Sequence, residues 1–320
     1  MKSSGIGGQA VLEGIMMKNG DWYAVAVRKP DGTIAVKKDE YKGIVSGHAW
    51  MKKPFIRGAF NLIDSLILGM QTLTYSSSFY EEEEEEHKEG FLEKHLSEET
   101  LEKLFTGGTV AISVVLAVVI FMLFPMFCAR LMERFTESHL LISILEGILR
   151  VAIFIAYVWA ISLMEDIKRT YMYHGAEHKC INCVEHGLPL TVENVRISSK
   201  EHKRCGTSFM LFVMLISIFV FMFLQMDNVV LRMLSRIVFI PVIAGISYEV
   251  LRLAGNSDSP LINAVSRPGL WLQGLTTAEP TDDMIEVAIQ ATEQVFDWRA
   301  YLTENFGMHF EDTAQGGAAE

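Results

Sequence analysis

The chain has 320 residues, half of them apolar, and a net charge of −11. That apolar share is high for a soluble domain, and a net negative chain lacks the basic field that a nucleic-acid surface requires. The acidity is local: residues 81–103 hold eleven Glu against Lys88, Lys94 and Lys103, which accounts for −8 of the total.

Met1–Gln9 is small and polar, without the apolar core of a cleavable signal peptide, so insertion is expected through the first spanning helix. Residues 1–53 read as a cytosolic N-terminal segment. In it the β-prone runs Trp22–Val27 and Thr33–Lys37 flank Pro30-Asp31-Gly32, which predicts a β-hairpin. Residues 54–75 have helical periodicity, with Phe60, Ile63, Ile67 and Met70 on one stripe, and also carry Arg57 and Asp64. This predicts an amphipathic helix lying on the membrane or against other helices, in preference to a short span. Residues 76–107 form an acidic linker. Its six-Glu run reads as a solvated, self-repelling stretch, with a cation-binding tract as the alternative.

Residues 108–253 predict a four-helix transmembrane domain, each apolar run being long enough to cross a bilayer. The spans fall at about Thr109–Phe127, Leu140–Met164, Ser208–Gln225 and Met233–Leu253. Cys128, at the end of the first, reads as a small buried hydrophobe. Glu146 and Arg150, four apart in the second span, can pair on one helix face; the fourth carries Arg236, Glu249 and Arg252, with Pro241 and Gly245 as kink points. The loop 165–206 has seven Lys and Arg, far more than the other two loops, which predicts a cytosolic loop and cytosolic N- and C-termini. Residues 254–320 form a cytosolic C-terminal segment. Within it 254–280 read as ordered loop, with Asp258 as a conceivable ligand; Thr281 caps an amphipathic helix with Ile285, Ala288, Ile289, Thr292, Val295 and Phe296 on its apolar stripe; and 315–320 are expected to be disordered. The fold class is therefore mainly α: a polytopic helical membrane protein with about four transmembrane helices, a small N-terminal β segment and a C-terminal amphipathic helix.

The chemistry concentrates in the cytosolic loop, YMYHGAEHKCINCVEHG followed by ISSKEHKRCGTSF. Its register suggests that the second span continues as a helix to Gly187-Leu188-Pro189. On a helix His174 and His178 stand one turn apart and can chelate one divalent transition metal, zinc being the usual choice. Glu177 beside them can take a proton from an activated water, and the order H-x-x-E-H matches the inverted zincin pattern. Two metal arrangements remain open. In the catalytic one, Cys205, His202 or a carboxylate such as Glu249 completes the His174/His178 pair. In the structural one, Cys180-x-x-Cys183 joins His202-x-x-Cys205 in a closed tetrahedral site. A cytosolic location keeps the thiols reduced and favours metal over disulfide. Histidines that merely cap and solvate a basic loop are the plain alternative. Glu249 and Arg252 are expected to pair with each other or to reach the cluster, and Glu165 and Asp166 to be interfacial.

The stretches GGQAVLEGIMMK (Gly7–Lys18), YHGAEHK (Tyr173–Lys179), RCGTSF (Arg204–Phe209) and PGLWLQGLTTAEPTDDMIEVAI (Pro268–Ile289) resemble the YqhQ-like family of bacterial membrane proteins. The resemblance implies a metal-dependent membrane enzyme and points to His174, Glu177, His178, His202 and Cys205. The family commonly has Pro where this chain has Lys203, and often no cysteine at Cys180, which weighs against the closed knuckle. The reading is a hydrolase of the bacterial inner membrane, with Glu177 as general base, acting on a lipid or peptide at the membrane surface. A metal-stabilised scaffold or assembly factor with a membrane-protein partner, and an oligomeric transporter using Glu146, Arg150, Arg236 and Glu249, are the rival classes.

Overall fold

The computed structural model describes residues 2–80 and 98–310 except 225, 227 and 258. The glutamate run, Asp258 and the tail expected to be disordered lie outside the described residues.

The N-terminal segment builds more sheet than a single hairpin. Strands β1 (Gly7–Val11), β2 (Gly14–Asn19), β3 (Trp22–Arg28) and β4 (Ile34–Glu40) form an antiparallel meander in the order β1-β2-β3-β4. The expected hairpin is the β3–β4 pair, in register from Arg28↔Ile34 to Trp22↔Glu40. Two residues, Gly20 and Asp21, join β2 to β3; Gly20 sits at φ +60, where a side chain is disfavoured. Alternation splits the sheet between two cores. Ile15, Met17 and Ala26 pack with helices α6 (Glu165–Glu185) and α11 (Asp282–Val295); Val11, Met16, Tyr23, Val25 and Val27 pack with Leu68 of α2 (Ile56–Ser77).

A short helix, α1 (Ile44–Gly47), precedes α2, which forms where periodicity predicts it and buries the side away from the apolar stripe. Its buried positions are Gly58, Leu68, Gly69, Thr72 and Ser76, whereas Ile63, Ile67 and Met70 are exposed. Small residues allow close approach: a Cβ on Gly58 would stand 2.6 Å from Tyr248 Cβ, and one on Gly69 2.6 Å from the Gln9 side chain. The helix thus packs its small face inward and leaves its apolar stripe open, as a helix resting on a lipid surface would.

Among the described residues, four helices are long and apolar enough to cross a membrane: Gly107–Met132, His139–Ile161, Gly206–Phe223 and Val230–Asn256. They belong to α3 (Glu98–Val118) running through a π turn into α4 (Phe124–Met132), α5 (His139–Ile161), α8 (Gly206–Phe223) and α9 (Val229–Asn256). The π turn, Val119–Leu123, precedes Pro125, whose missing N–H loosens the ladder there. Cys128 is half-buried.

Three expectations are corrected. The second span does not run unbroken into the loop: α5 stops at Ile161, Ser162–Met164 break the helix, and α6 starts afresh with Glu165 and Asp166 in its first turn. Those carboxylates face the positive end of the new helix dipole. Residues 254–280 are not a loop, because α10 (Pro260–Thr276) occupies most of them, capped by Ser259 with Pro260 in its first turn. Glu249 does not pair with Arg252 or reach the histidines; it takes both Arg57 Nε (2.8 Å) and Nη2 (2.6 Å) from α2. The predicted C-terminal helix is α11; α7 (Val192–Ile197) and α12 (Trp298–Phe306) are the remaining helices of the part that packs around α6.

Candidate metal centre

Helix α6 is amphipathic in an unusual sense: one side enters an apolar core and the other carries the chemistry. Tyr173, Ala176, Cys180, Cys183 and Val184 pack among Met284, Ile285, Ala288 and Ala291 of α11. His174, Glu177, His178 and Ile181 line a cavity of about 750 Å3 on the other side. Cys180 lies two residues past His178, roughly 200° around the helix. That rotation separates the C-x-x-C pair from the histidines.

The end of α7 and the chain that follows it are held against α6 through their carbonyls. Lys179 Nζ donates to Arg196 O and Ser198 O (2.9 Å each), and Asn182 Nδ2 to Ser199 O (2.7 Å) and Glu201 O (2.8 Å). His178 Nδ1 meets Lys200 O at 2.7 Å. This run of contacts fixes where residues 202–205 arrive, and it brings Cys205 to the N-cap of α8 with Sγ 3.3 Å from His174 Nε2.

Helix α10 supplies the other side. His174 Nδ1 meets Thr276 O at 2.8 Å. Gly175 makes room for that segment, since a Cβ there would stand 2.1 Å from Ala278 O. Buried Gln273 clasps the backbone of His202, accepting from its N–H (2.9 Å) and donating to its carbonyl (2.7 Å). Both Nδ1 atoms meet carbonyls and so carry a proton, which leaves Nε2 of each imidazole as the atom a metal would take. Burial disfavours a second proton on the His174 ring, but the neighbouring Cys205 thiolate outweighs it and raises the His174 pKa to about 9.

The result is a three-ligand group. One ligand atom each from His174, His178 and Cys205 all lie within 4.8 Å of one another. The imidazole centroids of His174 and His178 are 4.4 Å apart. Two nitrogens and one sulfur fit zinc, and three protein ligands leave a position open, as catalytic sites do. Burial alone would push the Cys205 thiol up, but His174 beside it prevails and holds it well below the ordinary thiol range. The N-terminal end of α8 adds in the same direction, with Thr207 N donating to Sγ. Glu177 is buried next to the ligands, and burial raises its carboxyl above the ordinary value although His178 and His174 oppose this. Gly8 of β1 lies over that carboxyl, and a Cβ there would come within 2.9 Å of Glu177 Cδ.

The other candidates go elsewhere. The His202 ring is 5.8 Å from that of His178, and its Nε2 faces Glu185 Oε2 at 3.4 Å. Burial lowers the pKa of His202, so it stays neutral there. Glu185 also receives Arg204 and the Ser4 backbone N–H; burial opposes ionisation, yet these donors hold its carboxyl at about 2. Cys180 is buried, and burial raises its thiol well above the ordinary range. Cys183, pushed up to about 11 by burial, has Leu188 O and Pro189 O as partners. Neither joins Cys205, so the closed knuckle does not assemble among the described residues. His186 is exposed, with Nδ1 on Asn182 O. Gln273 and the Thr276 carbonyl are participants that spacing did not single out; a carbonyl that orients an imidazole leaves no side-chain signature.

The fold and site define a mainly helical chain with four potential membrane-crossing helices and a small His/His/Cys centre beside them. Residues 53–298 match the family described as Protein of unknown function (DUF1385), and the chain belongs to that family. It is 37% identical over 308 residues to the Uncharacterized protein YqhQ of Bacillus subtilis (strain 168), covering 93% of this chain and 94% of that one. No solved structure matches.

Proposed function

We propose that the chain is a metal-dependent hydrolase of the bacterial inner membrane, acting on a lipid at the cytosolic surface. The observation that carries this reading is the convergence of His174, His178 and Cys205 beside buried Glu177, in a cavity of about 750 Å3. The cavity also reaches apolar Leu62, Phe209, Met210 and Leu251, which come from α2, α8 and α9. An acyl chain has an apolar route from a bilayer to the carboxylate; a polar peptide has less to gain there. The seven Lys and Arg of loop 165–206 support a cytosolic location, with both termini on that side.

A divalent ion at the site supplies Lewis-acid polarisation and acidifies water. The chain's own groups do the rest. The Thr276 and Lys200 carbonyls orient the two imidazoles. Glu177, with its affinity for a proton raised by burial, accepts one at its carboxylate and returns it to the leaving group. Closure of the site by Gly8 and β1 excludes bulk water from that carboxylate.

Glu177→Gln in the full-length, zinc-loaded protein tests this against lipid esters in mixed micelles. Hydrolysis is expected to fall by roughly 10²–10⁴-fold, the usual worth of a general base, with zinc content unchanged. Full activity in the variant, or none in the wild type, removes the reading. One observation favours a second reading: the Cys205–His174 pair at 3.3 Å on a helix N-terminus also suits a thiol nucleophile and its base. Chelation separates them, since it abolishes hydrolysis in the first case and leaves or raises it in the second.

A further inference from the structure

A second polar cluster lies in the helical bundle, away from the centre just described. Glu146 is seven residues into α5 and Arg150 eleven, while Arg236 is seven residues into α9. At 1.5 Å per residue this puts Glu146 and Arg236 roughly 10 Å along their helices, at the ends that point away from α6. Both are 7% exposed. Gly147 permits the close packing of α5 on α8: a Cβ there would stand 2.4 Å from the Ile218 side chain, which lies directly on the α5 backbone.

Charge does not balance in this cluster. Glu146 Oε1 accepts from Arg150 Nη2 (2.9 Å) and from Arg236 Nη2. One carboxylate thus serves two guanidinium groups. Arg150 finds Ser217 Oγ at 3.4 Å, but Nε and Nη1 of Arg236 are buried with no hydrogen-bond partner. The Phe221 ring, 5.5 Å from the Arg236 guanidinium carbon, engages the face of that group and leaves its N–H edge unsatisfied. Glu133, also in the lining, is 3.5 Å from Arg232 at the rim; that pair cancels, so the excess positive charge stays with Arg150 and Arg236. A buried guanidinium with two unmet donors is expensive, and within an apolar bundle it marks a site that receives something.

These groups line a cavity of about 50 Å3, together with His139, Ser143 and Ser235. A single water needs about 10–15 Å3 on the same measure, so the space holds a few waters or one small polyatomic ion. We propose that the cavity is a binding site for a phosphate-like oxyanion, with Arg236 and Arg150 as its cationic donors and Ser143 as a neutral one. An oxyanion supplies the acceptors that Arg236 Nε and Nη1 lack and cancels the excess positive charge. The size admits the anionic group and nothing bulkier, so the ion is either free phosphate or the phosphate of an anionic lipid headgroup whose chains stay outside. The site is independent of the His/His/Cys centre and of any hydrolytic activity there.

Full-length protein purified in a neutral detergent tests this in two arms. The first measures thermal unfolding against inorganic phosphate, with chloride at matched ionic strength as control. The second measures phosphatidylglycerol retained per chain by native mass spectrometry, beside phosphatidylcholine. Arg236→Gln is expected to weaken the response by roughly tenfold or more, the worth of charge-assisted hydrogen bonds. Glu146→Gln removes the competing carboxylate and is expected to tighten it, an outcome that a purely structural ion network does not give. Should Arg236→Gln fail to fold, Glu146→Gln and Arg236→Lys carry the test. Saturable stabilisation by phosphate assigns a free ion; retention of phosphatidylglycerol without a phosphate response assigns a headgroup. No response in either arm, or weaker binding in Glu146→Gln, overturns the proposal.

Discussion

Gly175→Ala places one methyl group where the account requires none. The added Cβ would stand 2.1 Å from the carbonyl oxygen of Ala278, and that atom is backbone. Ordinary carbon–oxygen contact is roughly 3.3 Å or more, so the 276–278 segment must retreat by about 1 Å. Overpacking of this kind costs about 1–3 kcal/mol. The same retreat lengthens the 2.8 Å contact between His174 Nδ1 and Thr276 O beyond hydrogen-bonding range. Loss of such an outer partner lowers metal affinity by about 10–100-fold, because the ring is then free to turn and to choose its tautomer. A chromophoric chelator competition on detergent-purified protein measures zinc affinity directly, and thermal unfolding in chelator measures the packing cost separately. A variant with wild-type zinc affinity would refute the claim that the Thr276 carbonyl sets the His174 imidazole, whatever its stability. Gly8→Ala offers a parallel case at the carboxylate, with its Cβ 2.9 Å from Glu177 Cδ.

Cys180→Ala and Cys183→Ser should leave zinc stoichiometry unchanged, because both thiols sit in the core on the far side of α6; metal analysis of each variant decides, and loss of zinc would restore the knuckle. In chelator-treated protein at pH 7, a thiol reagent should modify Cys205 well before Cys180 or Cys183, as peptide mapping would read out; burial raises those two thiols while His174 lowers Cys205. Glu185 contributes stability that is complete above about pH 4.5 and lost as pH falls toward about 2, since its folded pKa is depressed. The shift is worth on the order of 3 kcal/mol, so Glu185→Gln should unfold at lower denaturant at pH 7 and show a flatter acid limb. Arg57→Gln should loosen α2 from α9 by stranding half-buried Glu249, with proteolysis near residue 56 as the readout.

The parts of this fold imposed by simple physics were legible from the residues. A bilayer demands about twenty apolar residues per helix, and all four potential spans fall where hydropathy put them. The His174/His178 pair follows from the helical repeat alone. Cys205 is thirty-one positions away along the chain, and only the family resemblance and the metal-ligand chemistry pointed to it. What sequence could not resolve was which helix face met which neighbour. Cys180 and Cys183 have respectable ligand spacing, yet α11 claims their face for the core. Glu249 has Arg252 three residues on, yet the better geometry comes from Arg57, nearly two hundred residues upstream. Helix α10 was hidden by its Gly, Pro, Asn and Ser content, although Ser259-Pro260 is a sound helix start. On α2 the apolar stripe was read as facing the membrane or other helices; small residues set the close packing within the protein, and Ile63, Ile67 and Met70 on the stripe stayed outside.

The pairing of two imidazoles with one thiol can be read directly by X-ray absorption at the zinc edge, on protein loaded with one equivalent of zinc. The account predicts a single sulfur at about 2.3 Å with imidazole scattering from two histidines, and loss of that sulfur in Cys205→Ser. Two or three sulfurs, or a spectrum unchanged by Cys205→Ser, would contradict it.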